Sequence, residues 1–244
     1  MALASAVPIP RPERLEAIAA LQAWWAKEGG PERLVPPDPE LDPTAESYAW
    51  KLVQDLGGND LVASTPEKDQ DLEAELVAMG KYAVPALVRG LKYPPGFAEK
   101  RAAVARALGR IGDRRAAPAL AATLRDPVVS VAAWAAWALE PIADPETRGA
   151  LLRYEQRVRA LMAGGAVPTE AGPGERLLAQ AARARLRLGD DAARPMLVDL
   201  LLSEDETTRS LAIDALSRRF GEDRGYDAAG EPQARRAAAQ RWME

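Results

Sequence analysis

ALGRIGDRRAAPAL, residues 107–120, is the stretch on which the reading of this chain turns. Shifted by 31 positions it returns as ALEPIADPETRGAL, residues 138–151, with Ala107/Ala138, Leu108/Leu139, Ile111/Ile142, Asp113/Asp144, Ala119/Ala150 and Leu120/Leu151 in step. Shifted by 77 it returns as ARLRLGDDAARPML, residues 184–197, keeping Gly112/Gly189, Asp113/Asp190, Pro118/Pro195 and Leu120/Leu197. An earlier copy, VAMGKYAVPALVRGL at 77–91, puts Gly80, Pro85, Ala86 and Leu87 in the same roles with one residue fewer. A half-copy, RSLAIDAL at 209–216, matches RAAVARAL at 101–108.

Each copy reads as two antiparallel helices. The first ends near Ala-Leu-Gly-x-Ile, where glycine or a small residue relaxes the last turn. An aspartate starts the next segment as a cap. Proline then sits in the first turn of the second helix, where its missing N–H costs nothing. Ala-Leu-x-x-x-Leu follows as that helix's apolar stripe. Such a pair cannot bury its apolar face alone and must stack on its neighbours. The expected fold is therefore all-α, a solenoid of about four to five helix pairs with capping helices at both ends.

These residues resemble HEAT-like repeats of the short bacterial, phycobilisome-lyase type. The signature A-L-G-x-I-G-D-x-x-A-x-P-A-L stands nearly complete at 107–120, and the resemblance covers 72–221. It implies a solenoid whose second helices line the concave side, and it says little about function. The expected division is a helical cap and Pro-rich connector at 1–71, repeats at 72–221 and a capping helix at 222–244, forming one continuous unit. The tail FGEDRGYDAAGEPQARRAAAQRWME also resembles those of bacterial HEAT-repeat proteins, a Gly-Tyr-Asp followed by an Arg/Ala-rich helix ending in Trp.

Composition narrows the chemistry. The 244 residues include no cysteine and no histidine, with 32 Lys/Arg against 36 Asp/Glu. That removes disulfides, thiol catalysis, zinc sites built on Cys or His, and Ser-His or Cys-His relays. Charge is unevenly spread. Residues 1–75 hold 6 Lys/Arg against 15 Asp/Glu, 99–125 hold 7 against 2, and 148–194 hold 9 against 5. The middle is basic and the ends are acidic. No stretch is long and apolar enough to span a membrane. MALASAVPIP has no basic start followed by an apolar run, so no signal peptide is visible and a cytoplasmic location is favoured. The lack of cysteine fits the cytosol and equally an exported protein that avoids thiols.

Irregular stretches stand between the repeats. Residues 29–44 are Pro-rich, 57–66 contain Gly-Gly-Asn-Asp, and AGGAVPTEAGPG at 163–174 widens the repeat spacing from 31 to 46 residues. Insertions in solenoids fall on one face, often the binding face. Tyr93-Pro94-Pro95-Gly96-Phe97 is a smaller bulge, with Phe97 expected to tuck back onto a helix. In the Trp24-Trp25 pair one ring is expected inside and one over a junction.

Aligned repeats separate core from surface. Trp134 falls in the slot of Ala103 and Leu211 and is expected in the core. Trp137 falls in the slot of Arg106 and Asp214, which is expected to face solvent. An exposed tryptophan is a candidate contact. On the second helices, Arg89, Ala122, Arg153 and Asp199 stand two positions after the stripe leucine, and Gly90, Thr123, Tyr154 and Leu200 three after it. Arg89, Lys92, Arg125, Arg153 and Tyr154 thus define a basic groove with one aromatic, suited to an acidic peptide or an anionic ligand.

No catalytic constellation emerges. Asp190-Asp191 and Glu204-Asp205-Glu206 stand at expected helix starts, where the dipole stabilises carboxylates. There is no calcium-loop spacing, phosphate-binding glycine loop or Gly-x-Ser-x-Gly elbow. The expectation is a non-enzymatic protein-interaction module, scaffold or adaptor, without cofactor or metal, binding a protein or acidic peptide as a monomer or weak dimer. The alternative is nucleic-acid or anionic-ligand binding through the basic face, disfavoured by the net charge of −4. Phycobilin-lyase-like activity rests on the resemblance alone. Deoxyhypusine hydroxylase, a HEAT-like enzyme needing His-Glu metal ligands, is excluded by the absence of histidine.

Overall fold

The computed structural model describes residues 43–57, 65–165, 167 and 173–243, and among these the regular structure is helical, with no strand. Trp24-Trp25, nearly all of the Pro-rich connector, residues 58–64 and most of the 163–174 insertion lie outside the described residues. Contacts divide the chain into one unit ending at Leu87 and another beginning at Val88.

In the first unit, helix α1 (Pro43–Asp55) packs on α2 (Pro66–Met79). They bury Ala49, Leu52, Val53 and Leu56 on one side and Leu72 and Leu76 on the other. The Tyr48 hydroxyl donates to Glu75 across the pair. Thr65 caps α2 by accepting from the Lys68 N–H, and Pro66 fills the first turn. Gly80 then turns the chain into α3 (Val84–Gly90), which carries it into the second unit.

The second unit holds α4 (Ala98–Ile111), α5 (Ala117–Thr123), α6 (Val129–Leu139), α7 (Arg148–Ala163), α8 (Gly174–Arg187), α9 (Arg194–Leu200), α10 (Glu206–Phe220) and α11 (Pro232–Gln240). The first helices α4, α6, α8 and α10 lie side by side in chain order, while α5 packs on α6, α7 on α8, and α9 on α8 and α10. This is the stacked solenoid that the repeats imply.

Turn chemistry follows the repeat. Gly112 ends α4 in the left-handed region (φ 69°), its N–H on Leu108 O, a conformation that favours glycine. Asp113 accepts from Arg115 N and Asp144 from Thr147 N. Asp190 departs from the expected capping role: its side chain makes no cap bond, and its carboxylate is held by Arg185. Pro118 and Pro195 stand in the first turns of α5 and α9.

The insertion begins as helix. Helix α7 runs for 16 residues where α5 and α9 run for 7. The added turns bring Arg157 over the loop after α5, where its guanidinium donates to Asp126 O at 2.6 Å and Pro127 O at 3.1 Å.

Helix α6, VSVAAWAAWAL, is apolar all round because α4 and α8 flank it and α5 packs on it. Trp134, expected in the core, is only half-buried; its ring meets Trp137 edge-on at 5.7 Å and carries Arg106 over its face at 5.1 Å. Phe97 packs on Tyr93 with ring centroids 5.6 Å apart, and the Lys100 ammonium sits 4.7 Å from the Tyr93 ring.

Arginines from one first helix reach the aspartate that starts the next. Arg101 of α4 grips Asp126 at 2.7 and 2.9 Å, and Arg176 of α8 grips Asp205 at 2.8 Å. Asp205 also caps α10 through Thr208 N. The Arg176 hydrogen bond, aided by Thr208, lowers the Asp205 carboxyl from 3.8 to about 2. A depressed carboxyl contributes stability above its unfolded value and loses it as pH falls through the folded one. Asp205→Asn keeps the cap but removes the charge that Arg176 grips, and is therefore expected to cost about 1 kcal/mol at neutral pH. The gap to the parent should close as pH falls from 3.8 towards 2. Urea unfolding of both proteins across that range measures it.

The C-terminal segment joins the last pair through specific bonds. Arg209, buried in α10, donates to Ser203 O, Glu204 O and Ala228 O at 2.7–2.9 Å. The Tyr226 hydroxyl donates to Leu201 O. Trp242 is 1% exposed, edge-on to Phe220 at 5.9 Å, with Arg224 stacked over its ring at 4.8 Å.

Candidate functional site

The side chains of α7 face two ways. Ala150, Arg153, Tyr154 and Arg157 recur at three- and four-residue spacing and turn towards α5, whereas Leu152, Glu155, Gln156 and Arg159 turn towards α9. Each face lines a cavity.

The cavity towards α5 has a volume of about 300 Å³. Leu124, Pro127 and Ala150 supply its apolar wall, and Arg125, Arg153, Arg157 and Tyr154 its polar groups. Arg125 and Arg153 are exposed and, among the described residues, form no ion pair. Arg157 is held by the carbonyls at the end of α5. The structure thus brings together three of the groove residues expected from sequence, Arg125, Arg153 and Tyr154. Arg157 was missed, although its i+4 spacing from Arg153 places it on the same helical face.

Tyr154 is not a surface aromatic. It is 2% exposed, and its hydroxyl has no hydrogen-bond partner among the described residues. Burial raises the phenol above its ordinary value against the pull of Arg157. The same one-residue step separates surface from interior in every repeat. Arg89, Ala122, Arg153 and Asp199 are exposed, whereas Gly90, Thr123, Tyr154 and Leu200 are buried. Adjacent helical residues point about 100° apart, so only the first of these two slots is surface.

Arg89 and Lys92, at and just beyond the end of α3, are exposed and do not line this cavity. Trp137 lies elsewhere again, half-buried against α4, where it meets Gly109 and the Trp134 ring. Its slot is a seam between first helices and not open surface. Arg106, Trp137, Arg183 and Asp214 are all half-buried, and Arg183 bridges Glu140 at 2.8 Å and Asp214 at 2.9 Å.

The cavity towards α9, about 310 Å³, contains a buried ionic group that sequence did not single out. Arg185 donates to Glu155 Oε2 at 2.7 Å and to Asp190 Oδ2 at 2.9 Å. Glu155 Oε1 is buried without a partner among the described residues. Burial pushes the Glu155 carboxyl up, and Arg185 opposes it.

No group of His, Cys, Asp and Glu among the described residues is placed to hold a metal ion. None of their helices is long and apolar enough to cross a membrane.

Stacked antiparallel pairs with inter-repeat arginine–aspartate bonds define the class: an α-solenoid of helical repeats. Within it, residues 76–160 match the family model for HEAT repeats, and that segment carries HEAT-like repeats. Among curated proteins, none matches the chain. HEAT repeats commonly mediate protein–protein interaction, and proteins built from them are typically non-enzymatic.

Proposed function

We propose that this chain is a non-enzymatic protein-interaction module, an adaptor or scaffold whose second-helix face receives an acidic segment of a partner protein. One contrast carries the reading. Arg101, Arg176, Arg183 and Arg185 each grip a carboxylate of the chain itself. Arg125 and Arg153, beside an open cavity, grip none among the described residues. Guanidinium groups left in this state match a carboxylate or other oxyanion brought from outside. Arg89 and Lys92 extend the basic character of the second unit, and Trp137 is a separate contact candidate on the first-helix side.

The test is fluorescence anisotropy of a labelled oligo-glutamate peptide at low and physiological salt. The double variant Arg125→Ala/Arg153→Ala is expected to weaken binding about tenfold or more. Unchanged affinity in that variant, with loss in Trp137→Ala, moves the site to the first-helix side. Steeply salt-dependent retention on heparin, without peptide binding, favours the nucleic-acid alternative.

A further inference from the structure

The cavity towards α5 has more donor capacity than a carboxylate needs. Two exposed guanidinium groups without an internal acid, Arg125 and Arg153, meet a third, Arg157, whose NH1 and NH2 are fixed on backbone carbonyls. Behind them stands the Tyr154 hydroxyl, in a residue 2% exposed and without a hydrogen-bond partner among the described residues. A buried hydroxyl without a partner is costly, and Tyr154 lines a cavity whose charged groups, Arg125, Arg153 and Arg157, are all cationic. From these observations, and resting on the acidic-segment reading above, we infer that this cavity binds a phosphate monoester carried on a side chain of the partner protein, with Arg125 and Arg153 as charged donors and the Tyr154 hydroxyl as a neutral one.

The chemistry matches in three respects. A phosphorylated side chain brings about −1.5 to −2 charges and three acceptor oxygens, where a carboxylate brings one charge and two oxygens. The volume of about 300 Å³ leaves room beside the oxyanion for the side chain that carries it, along the apolar wall of Leu124 and Pro127. The positive field is local, because the neighbouring cavity contains Glu155 and Asp199. A polyphosphate backbone needs a continuous basic track, whereas one phosphate needs only this cluster. The Tyr154 phenol stays protonated, and so able to donate, across the physiological range.

Calorimetric titration of the intact chain with phenyl phosphate and, in parallel, with benzoate tests this. Phenyl phosphate is expected to bind at least about tenfold tighter than benzoate. Arg153→Ala and Tyr154→Phe should each weaken phenyl phosphate severalfold. Tyr154→Phe removes only the costly unpartnered hydroxyl, so its unfolding midpoint should equal or exceed that of the parent and its loss of binding is not a folding defect. Arg236→Ala, an exposed arginine on α11 outside the cavity, is expected to change nothing. Equal binding of the two probes, or parental phosphate affinity in Tyr154→Phe, overturns the inference. Arg153-dependent binding of oligo-glutamate with no preference for phosphate overturns it alone and leaves the acidic-segment reading standing; absence of both peptide and phosphate binding in the parent chain overturns both. Oligothymidylate binding tighter than a phosphoserine peptide of equal length overturns the assignment to a protein-borne phosphate.

Discussion

Arg185→Met is expected to lower the unfolding free energy by about 3 kcal/mol at neutral pH, and by much less near pH 5. The guanidinium is 6% exposed and bonds two carboxylates, Glu155 of α7 and Asp190 of the turn into α9. Methionine fills the volume but leaves Glu155, itself 4% exposed, without its main counter-charge. The groups that then face Glu155 are Arg159 on its own helix and Asp190, and Asp190 pushes its carboxyl further up. A carboxyl raised in the folded state binds protons more tightly there than in the unfolded chain. Stability therefore falls as pH rises above the ordinary carboxyl value, and the variant is rescued by acid. Urea unfolding at about pH 5 and pH 8 measures this. Adding Glu155→Gln to Arg185→Met should recover most of the loss and remove its pH dependence. If the loss stays equal at both pH values, lost packing and not the buried charge is its cause.

The second large effect concerns Gly109. Glycine within a helix usually gives up about 1 kcal/mol relative to alanine, so Gly109→Ala at an open position would stabilise α4. Here a Cβ would lie 2.6 Å from Trp137 Cζ3, 2.8 Å from Ala138 Cα and 2.9 Å from Ala138 Cβ. Two of these atoms belong to Ala138, one of them backbone, and no rotamer change moves them aside. The α4 and α6 axes must separate, and overpacking of this kind costs about 1–3 kcal/mol. The expected net result is a loss of about 1 kcal/mol after the gain in propensity. Gly109→Ala/Trp137→Ala should not restore the parent, because the Ala138 contacts remain. A Gly109→Ala variant as stable as the parent would mean that the two helices part freely.

Gly109 also shows how far the sequence can be read. In ALGRIGD it reads as a small residue near a helix end. Gly112 performs that terminal role, with its left-handed φ, while Gly109 serves the approach of the next repeat. Both glycines are visible in the sequence, but only the neighbouring helix distinguishes them. Trp137 illustrates the same limit. Its register with Arg106 and Asp214 was correctly legible as a shared slot, yet that slot is a seam between helices and not open surface. Tyr154 was placed by its register beside Arg153, and the 100° step between them put it inside.

What the sequence determined by itself is the repeat. Helix pairs, the Asp113 and Asp144 caps and the prolines at 118 and 195 depend on residues within a few positions of one another, so spacing alone reveals them. What only the tertiary structure decided is which charges are already paired. Arg101 meets Asp126 across 25 residues, Arg176 meets Asp205 across 29, and Arg185 meets Glu155 across 30. At those separations a side chain's partner depends on how one repeat stacks on the next, which the period of the sequence does not encode. The same stacking leaves Arg125 and Arg153 beside an open cavity, with the Tyr154 hydroxyl buried behind them.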